Sequence, residues 1–147
     1  MQAQWEVAAR LGVRVLPFRL DAPGEIEEVF TAIGREKPQA LSIHSAPIVS
    51  AHRKQIAAFA IEQRLPTISS LRGLVQDGFL MSYGEDVVEN FRRAARYVDR
   101  VLRGENPAEL PVEQAEKFVF VINLKTARAL GVIIPPTLLA RADEVIE

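Results

Sequence analysis

The chain has no cysteine, no cluster of basic residues and no long apolar run. With Cys 0, disulfides, thiolate chemistry and cysteine-bound metals are excluded, although this absence fits both the cytoplasm and the periplasm. No apolar stretch approaches the roughly 18 residues of a membrane-spanning helix, so we expect no membrane insertion. The formal net charge is -1, and lysine and arginine are spread through amphipathic segments. This distribution argues against nucleic acid or an anionic membrane as the main partner.

The length and composition are those of a globular domain. The chain has 147 residues, of which 48% are hydrophobic and 25% charged, enough for one ordinary domain with a sizeable core. Its first ten residues favour an amphipathic helix and lack the basic-then-apolar plan of a signal peptide, so we expect the chain as it stands to stay in the cytoplasm. That helix has no capping residue in front of it, which suggests a missing upstream segment.

Short apolar strands alternate with helices through the first part of the chain. We predict strands at residues 13–18, 40–43, 65–68 and 79–81, and helices at residues 2–11, from Asp21 onward and at 48–63. This alternation is typical of an α/β fold, a parallel sheet flanked by helices. Right-handed crossovers would then place the strand-to-helix turns at one edge of the sheet.

The predicted turns at that edge carry neutral hydrogen-bonding groups. They contain His44 and Ser45, then Ser69 and Ser70, and finally the run Ser82-Tyr83-Gly84, which we expect to be a turn between a strand and a helix. Hydroxyls and backbone amides at helix starts can orient a small polar or anionic ligand. Any one of these serines is explained by helix capping, but three such turns together favour a pocket.

The rest of the chain alternates in the same manner. A long amphipathic helix is predicted from Asp86 to Gly104, followed by a proline-bounded crossing at residues 106–113, a strand at 118–122 and a helix at 123–131. We expect the long helix to turn one set of side chains inward: Val87, Phe91, Ala94, Ala95, Val98, Val101 and Leu102. In the last helix we expect packing by Leu138, Leu139, Ala142 and Ile146.

Catalytic and cofactor motifs are weak or missing. His44 and His52 match no zinc-binding spacing, and the chain has no glycine-rich phosphate loop, so we expect neither metal nor cofactor. Ser82 lacks the first glycine of the G-x-S-x-G turn that exposes a hydrolase nucleophile. We therefore expect no enzymatic activity. A hydrolase or isomerase that uses His44 and Ser82 stays open as the alternative.

Several segments together resemble one family. They are residues 78–84, 92–104, 110–114, 118–131 and 134–146, and the match is most specific from Leu65 onward. They are similar to the solute-binding proteins of ABC transporters, in the branch related to tryptophan- and tyrosine-binding lipoproteins. The resemblance implies a type I periplasmic binding protein, in which two α/β lobes close on a ligand by a hinge motion.

The resemblance also implies a division of the chain and a function. Residues 1–84 would be the βα units of the carboxyl-terminal lobe, 85–110 a helix packed on a missing amino-terminal lobe, and 111–147 the return strand and terminal helices. The chain would thus be one lobe, plus part of the other, of the substrate-binding component of an ABC-type uptake transporter. Its ligand would be a small polar solute, its partners permease subunits, and its location periplasmic.

Two positions depart from the family pattern. Ala46 stands where the family often has an acidic residue before a proline, and Ser69 stands where many members have an aromatic residue. Stacking of a ligand ring at that turn is therefore not expected, and the ligand need not be an aromatic amino acid. A non-functional fragment is a further alternative, since half a cleft encloses no ligand.

Overall fold

The computed structural model describes residues 2–147, with side chains from residue 5 onward. The chain divides into two compact units between Gln39 and Ala40. The first unit contains helix α1 (Gln2–Arg10), a 3₁₀ turn at Pro23–Glu25 and helix α2 (Ile26–Glu36). Gly12 follows α1 with φ +66°, a left-handed conformation that suits a glycine after a helix end, as predicted.

The strand predicted at residues 13–18 does not form. These residues have no regular secondary structure, and the sheet of the chain begins later, at Leu41. The alternation of apolar and polar residues in this segment meets the side-chain requirement of a strand. A strand also needs a neighbour to pair its backbone N–H and C=O groups, and the sheet order provides none for it.

The second unit is built on a five-stranded sheet in the order β1-β2-β3-β4-β5. Its strands are β1 (Leu41–Ile43), β2 (Thr67–Ser69), β3 (Met81–Glu85), β4 (Phe118–Asn123) and β5 (Glu144–Ile146). Its helices are α3 (Pro47–Ala51), α4 (Arg53–Glu62), α5 (Arg72–Gln76), α6 (Val87–Leu102), α7 (Leu124–Leu130) and α8 (Pro136–Leu139). The α/β class is thus confirmed.

The sheet is mostly parallel. Strands β1, β2 and β3 are parallel to one another, and β4 is parallel to β5. Strands β3 and β4 are antiparallel, a reversal that the sequence did not indicate. The chain leaves β3 at Glu85, makes a long excursion through α6 and re-enters the sheet at Phe118, at the same end of the sheet that it left.

Two helix predictions are corrected by the structure. The helix predicted at residues 48–63 is divided at His52, whose φ of -102° and ψ of 14° are not helical, into α3 and α4. The last helix ends at Leu139, and Ile146 lies in β5 instead, where it pairs with Asn123 of β4. An isolated apolar run at a chain end fits either structure, and the free edge of β4 favours the strand.

The core of the second unit lies on both faces of the sheet. On one face a buried cluster joins the strands to α7 and the segment that follows it: Leu80, Ile122, Ala127, Leu130 and Ile134. On the other face α5 packs against β3 and β4. Asn123 connects both sides, because its Nδ2 donates to the Val75 carbonyl of α5 (2.9 Å) while its Oδ1 accepts from the Thr126 N–H of α7 (3.0 Å).

Helix α6 has the predicted length, but its apolar stripe is not buried. None of its described residues is buried, and the exposed side chains include Phe91 at 73% and Leu102 at 80%. The expectation that this stripe points into the core of the chain is therefore wrong. The apolar residues of α6 are spaced as in a helix that packs against a partner, but no other part of the second unit covers them.

The segment that returns from α6 to β4 is irregular and is attached to α6 by side chains. The Tyr97 hydroxyl donates to the Pro111 carbonyl (2.6 Å). The Arg93 guanidinium donates to the Gln114 carbonyl (3.0 Å) and to the Glu116 carboxylate (3.1 Å). These bonds fix residues 111–116 along α6, a stretch outside any helix or strand that follows a 3₁₀ turn at Pro107–Glu109.

Candidate functional site

Three predicted site residues lie side by side at the carboxyl end of the parallel strands. β1 ends at Ile43 and β2 at Ser69, and these two residues pair in register. His44 and Ser45 therefore leave β1 next to the point where Ser70 leaves β2, and all three are exposed. The carboxyl edge of parallel strands is where open α/β sheets bind ligands. The edge offers a ligand two hydroxyls and an imidazole.

Ser69 contributes to the same edge from a buried position. Its side chain is 4% exposed, and its Oγ accepts from the Leu71 N–H (3.2 Å) just before α5 begins. This is the local turn that serine commonly forms ahead of a helix. Ser69 thus shapes the loop on which Ser70 is displayed.

The run Ser82-Tyr83-Gly84 is not a turn. All three residues lie inside β3, which continues to Glu85, so the predicted strand end at Met81 is too early. The cause is β4, which pairs with every residue of β3 from Met81 to Glu85. A glycine beside two hydroxyl residues is common in turns, but here the antiparallel partner keeps the backbone extended.

Ser82 is buried in this strand without a hydrogen bond. It is 1% exposed, and its Oγ has no partner among the described residues. It lies beside Ser69 of β2 and Val121 of β4 in the ladder, on the face of the sheet that α5 covers. No histidine therefore activates this hydroxyl in the structure.

Gly84 allows β3 to pass directly against the loop that carries Ser70. A Cβ at Gly84 would overlap the Ser70 carbonyl oxygen, and the neighbouring atoms are also backbone. Backbone atoms cannot rotate out of the way as a side chain could, so only glycine fits here. The contact fixes the position of Ser70 relative to β3.

Tyr83 projects from the opposite face of β3 and is 57% exposed. Its ring stacks on Phe118 of β4 (centroids 5.6 Å apart, planes at 20°) and meets the edge of Phe120 (6.3 Å, 78°). Because β2 pairs with β3 only as far as Ser82, the last residues of β3 extend past the parallel strands together with β4. The two strands form an arm beside the hydroxyl-bearing edge.

Sequence reasoning missed both phenylalanines of this arm. Phe118 and Phe120 were assigned to a strand, but nothing in the sequence gives the register that sets Phe120 opposite Tyr83. The alternating Phe-Val-Phe pattern is the only available signal, and it shows that the two rings share a face of β4 without showing what they meet.

The described residues form neither a metal-binding cluster nor a membrane-spanning helix. Residues 2–147 contain no group of three or more histidine and carboxylate side chains placed to bind a metal ion. In the same part of the chain, no helix has the length and apolar character to cross a membrane.

The chain belongs to a known family of substrate-binding proteins. The sequence profile of the family described as "ABC transporter substrate binding protein" matches residues 1–146. That family consists of substrate-binding proteins and is not an enzyme family. A search of curated proteins gave no match to this chain.

Solved structures agree with that assignment. The chain is similar to a conserved domain protein from Vibrio cholerae (25% identity, TM-score 0.89), covering 98% of this chain and 48% of that one. It is also similar to an ABC domain in complex with L-Trp from Streptococcus pneumonia (26% identity, TM-score 0.87), covering 99% and 50%. The fold recurs in a ligand-free, open substrate-binding protein with adhesive properties from Clostridium difficile (20% identity, TM-score 0.71). That match covers 99% of this chain and 48% of the other. The chain spans about half the length of each of these structures.

Proposed function

We propose that the chain is the carboxyl-terminal half of a solute-binding component of an ABC-type uptake transporter. In the whole protein it would form one wall of a cleft between two lobes and bind a small polar solute, amino-acid-like or another organic molecule. The observation that carries this proposal is the row of exposed polar groups, His44, Ser45 and Ser70, on adjacent parallel strand ends. The family match and the L-Trp complex of a similar structure support it.

The proposed site uses the predicted residues in two ways. His44, Ser45, Ser70 and Tyr83 are exposed and would contact the solute. Ser69, Ser82 and Gly84 are buried beneath these contact residues. Ser69 shapes the loop that carries Ser70, and Gly84 leaves room for the Ser70 backbone. The Ser82 hydroxyl has no hydrogen-bond partner among the described residues. Such neutral donors and acceptors fix a solute without chemically changing it.

We propose that residues 85–110 pack on the other lobe. The exposed stripe of α6 repeats at seven-residue intervals, as Phe91 and Val98 illustrate, and this spacing fits an apolar partner surface. The partner would be the half of the polypeptide that the similar structures have and this chain does not span. Hydrogen exchange tests this: α6 amides should exchange more slowly in the full-length protein than in the 147-residue chain. Equal exchange would contradict the packing.

The partners and location follow from the same role. Permease subunits would receive the solute from the closed protein, and the full-length protein would act outside the cytoplasmic membrane. Neither a cofactor nor a metal is needed for binding of this kind.

The solute site is tested by titrating the chain with an equimolar mixture of the standard amino acids, observed by saturation-transfer NMR. We expect saturable binding, weakened about 3- to 10-fold by each of Ser70→Ala and Tyr83→Phe, since each removes about one hydrogen bond. Thr137→Ala in α8 is the matched control because it removes an exposed hydroxyl that is not one of the proposed contact residues. Unchanged affinity in both site variants would refute the assignment.

An α/β enzyme using His44 and Ser82 is the weaker candidate. β1 and β3 are separated by β2, so their backbones lie roughly 9–10 Å apart, and the Ser82 hydroxyl has no partner among the described residues. A general base must lie within hydrogen-bond reach of its nucleophile. A turnover assay across ester substrates would decide, and hydrolysis that disappears in Ser82→Ala would favour the enzyme.

A further inference from the structure

Tyr83 is exposed yet held from two sides. Phe120 lies directly opposite Tyr83 in the β3–β4 ladder, and Phe118 lies diagonally across from it. Phe118 covers the ring by offset stacking while Phe120 presents its edge, and these are the two arrangements that aromatic pairs prefer. Contacts of different geometry from two neighbours restrict both side-chain torsions of Tyr83.

The Tyr83–Phe118 stack is not part of the buried core of the second unit, although Phe120 packs against that core. Phe118 is 44% exposed, whereas the cluster around Leu80 and Ile122 is almost completely buried. A paired but exposed tyrosine keeps its hydroxyl and part of its ring available in a fixed orientation. An isolated exposed tyrosine would instead sample several rotamers, and a ligand would have to select one of them at an entropic cost.

We infer that Phe118 is a positioning residue of the proposed solute site, because its ring fixes the orientation of Tyr83. The consequence for affinity rests on the proposed function, whereas the orientation itself belongs to the fold. Phe118 enters from the return strand β4, so the chain beyond α6 shapes a site otherwise formed by the strand ends of β1 and β2.

Two measurements on the 147-residue chain test this inference. The first is aromatic NMR of Tyr83 in the ligand-free chain. In Phe118→Leu, which keeps an apolar side chain and removes the ring, the Tyr83 ring signals should lose the part of their ring-current shift that Phe118 causes, while the part from Phe120 should change as the Tyr83 ring reorients. Phe118→Tyr, which keeps the ring, should restore the original shift. Phe91→Leu removes an exposed ring from α6, outside the stack, and is the matched control.

The second measurement is the amino-acid titration in the same variants. We expect Phe118→Leu to weaken binding about 3- to 10-fold, Phe118→Tyr to recover it, and Phe91→Leu to leave it unchanged. An unchanged Tyr83 signal in Phe118→Leu overturns the inference, as does a changed signal with unchanged affinity. If the unmodified chain binds none of these amino acids, the proposed function fails for that probe, and the NMR comparison alone then decides whether Phe118 orients Tyr83.

Discussion

Asp86 binds Lys117 through two different groups. Its carboxylate accepts from the lysine Nζ at 2.9 Å, and its backbone N–H donates to the Lys117 carbonyl at 2.9 Å. The same carboxylate also accepts from the Glu89 N–H (3.1 Å) and caps α6. One residue therefore joins the exit from β3, the start of α6 and the entry into β4.

This pair should make stability depend on pH at both extremes. The hydrogen bond from Lys117, and then that from the Glu89 N–H, lowers the pKa of Asp86 from the ordinary value of 3.8. The stabilisation that the ionised Asp86 carboxylate gives the folded chain is therefore lost as pH falls below that value. The hydrogen bond to Asp86 raises the pKa of Lys117 from the ordinary value of 10.5. The stabilisation that protonated Lys117 gives the folded chain is therefore lost as pH rises above that value.

Urea midpoints across the pH range would check this with Lys117→Gln. The difference in urea midpoint between the unmodified chain and the variant should be largest between about pH 5 and about pH 9 and should become smaller at lower and at higher pH. Lys125→Gln, which removes a charge from an exposed position on α7, should show no such profile. A constant gap would mean that the charges contribute nothing.

Gly84 and Gly73 should respond in opposite ways to alanine. Gly84→Ala should destabilise the chain by about 1–3 kcal/mol or more, because the new Cβ meets the Ser70 carbonyl and backbone must move. Gly73→Ala, in α5 with no atom within 4 Å of the new Cβ, should stabilise it by about 0.5–1 kcal/mol. Chemical denaturation with an unchanged m-value measures both, and a tolerated Gly84→Ala would disprove the close approach.

Two buried hydroxyls on neighbouring strands, those of Thr67 and Ser82, should differ in their contribution to stability. Thr67 Oγ1 accepts from the Leu80 N–H (2.8 Å), so Thr67→Val should cost about 1–3 kcal/mol by leaving a buried donor unpaired. Ser82 has no partner among the described residues, so Ser82→Ala should be neutral or stabilise the chain by up to about 1 kcal/mol. Thermal unfolding of both variants would check this, and a large loss in Ser82→Ala would reveal a bond that a water molecule supplies.

Asn123 should be one of the most sensitive polar positions. Asn123→Ala removes the cap of α7 and the side-chain hydrogen bond to the Val75 carbonyl, which still accepts from the Gly78 N–H (3.2 Å), and the two losses together should cost about 1–3 kcal/mol. Asn123→Asp keeps the cap oxygen but loses the donor, so part of that loss should remain. Asn106→Ala, which removes an exposed cap, is the control and should cost about 1 kcal/mol or less. Equal losses at the two positions would refute the bridging role of Asn123.

The sequence predicted most elements where local chemistry decides them. The limits of α6 follow from Asp86 as a capping residue and from Gly104 with φ +95° just beyond its end. The end of α7 follows from Gly131 in the same way. Adjacent parallel strand ends could also be predicted, because the order of strands and helices restricts the topology.

The remaining features depend on partners that a single sequence does not reveal. Residues 13–18 alternate as a strand should, but no neighbouring strand pairs with them. Ile146 fits a helical pattern, but it pairs with β4 as part of β5. Tyr83 was expected in a turn because only β4 shows that β3 continues. The stripe of α6 was expected inside for the same reason, since amphipathicity shows which face is apolar without showing what covers it.

The antiparallel ladder between β3 and β4 has a consequence for how the chain can be cut. The connection from α6 to β4 passes Val112, which is 97% exposed, while the strands on either side share a ladder from Met81–Ile122 to Glu85–Phe118. A protease nick or an engineered break beside Val112 would leave two polypeptides that still meet in one sheet. Reassembly of those pieces would itself report on the fold, so the return segment is the natural place to divide the molecule for a complementation assay.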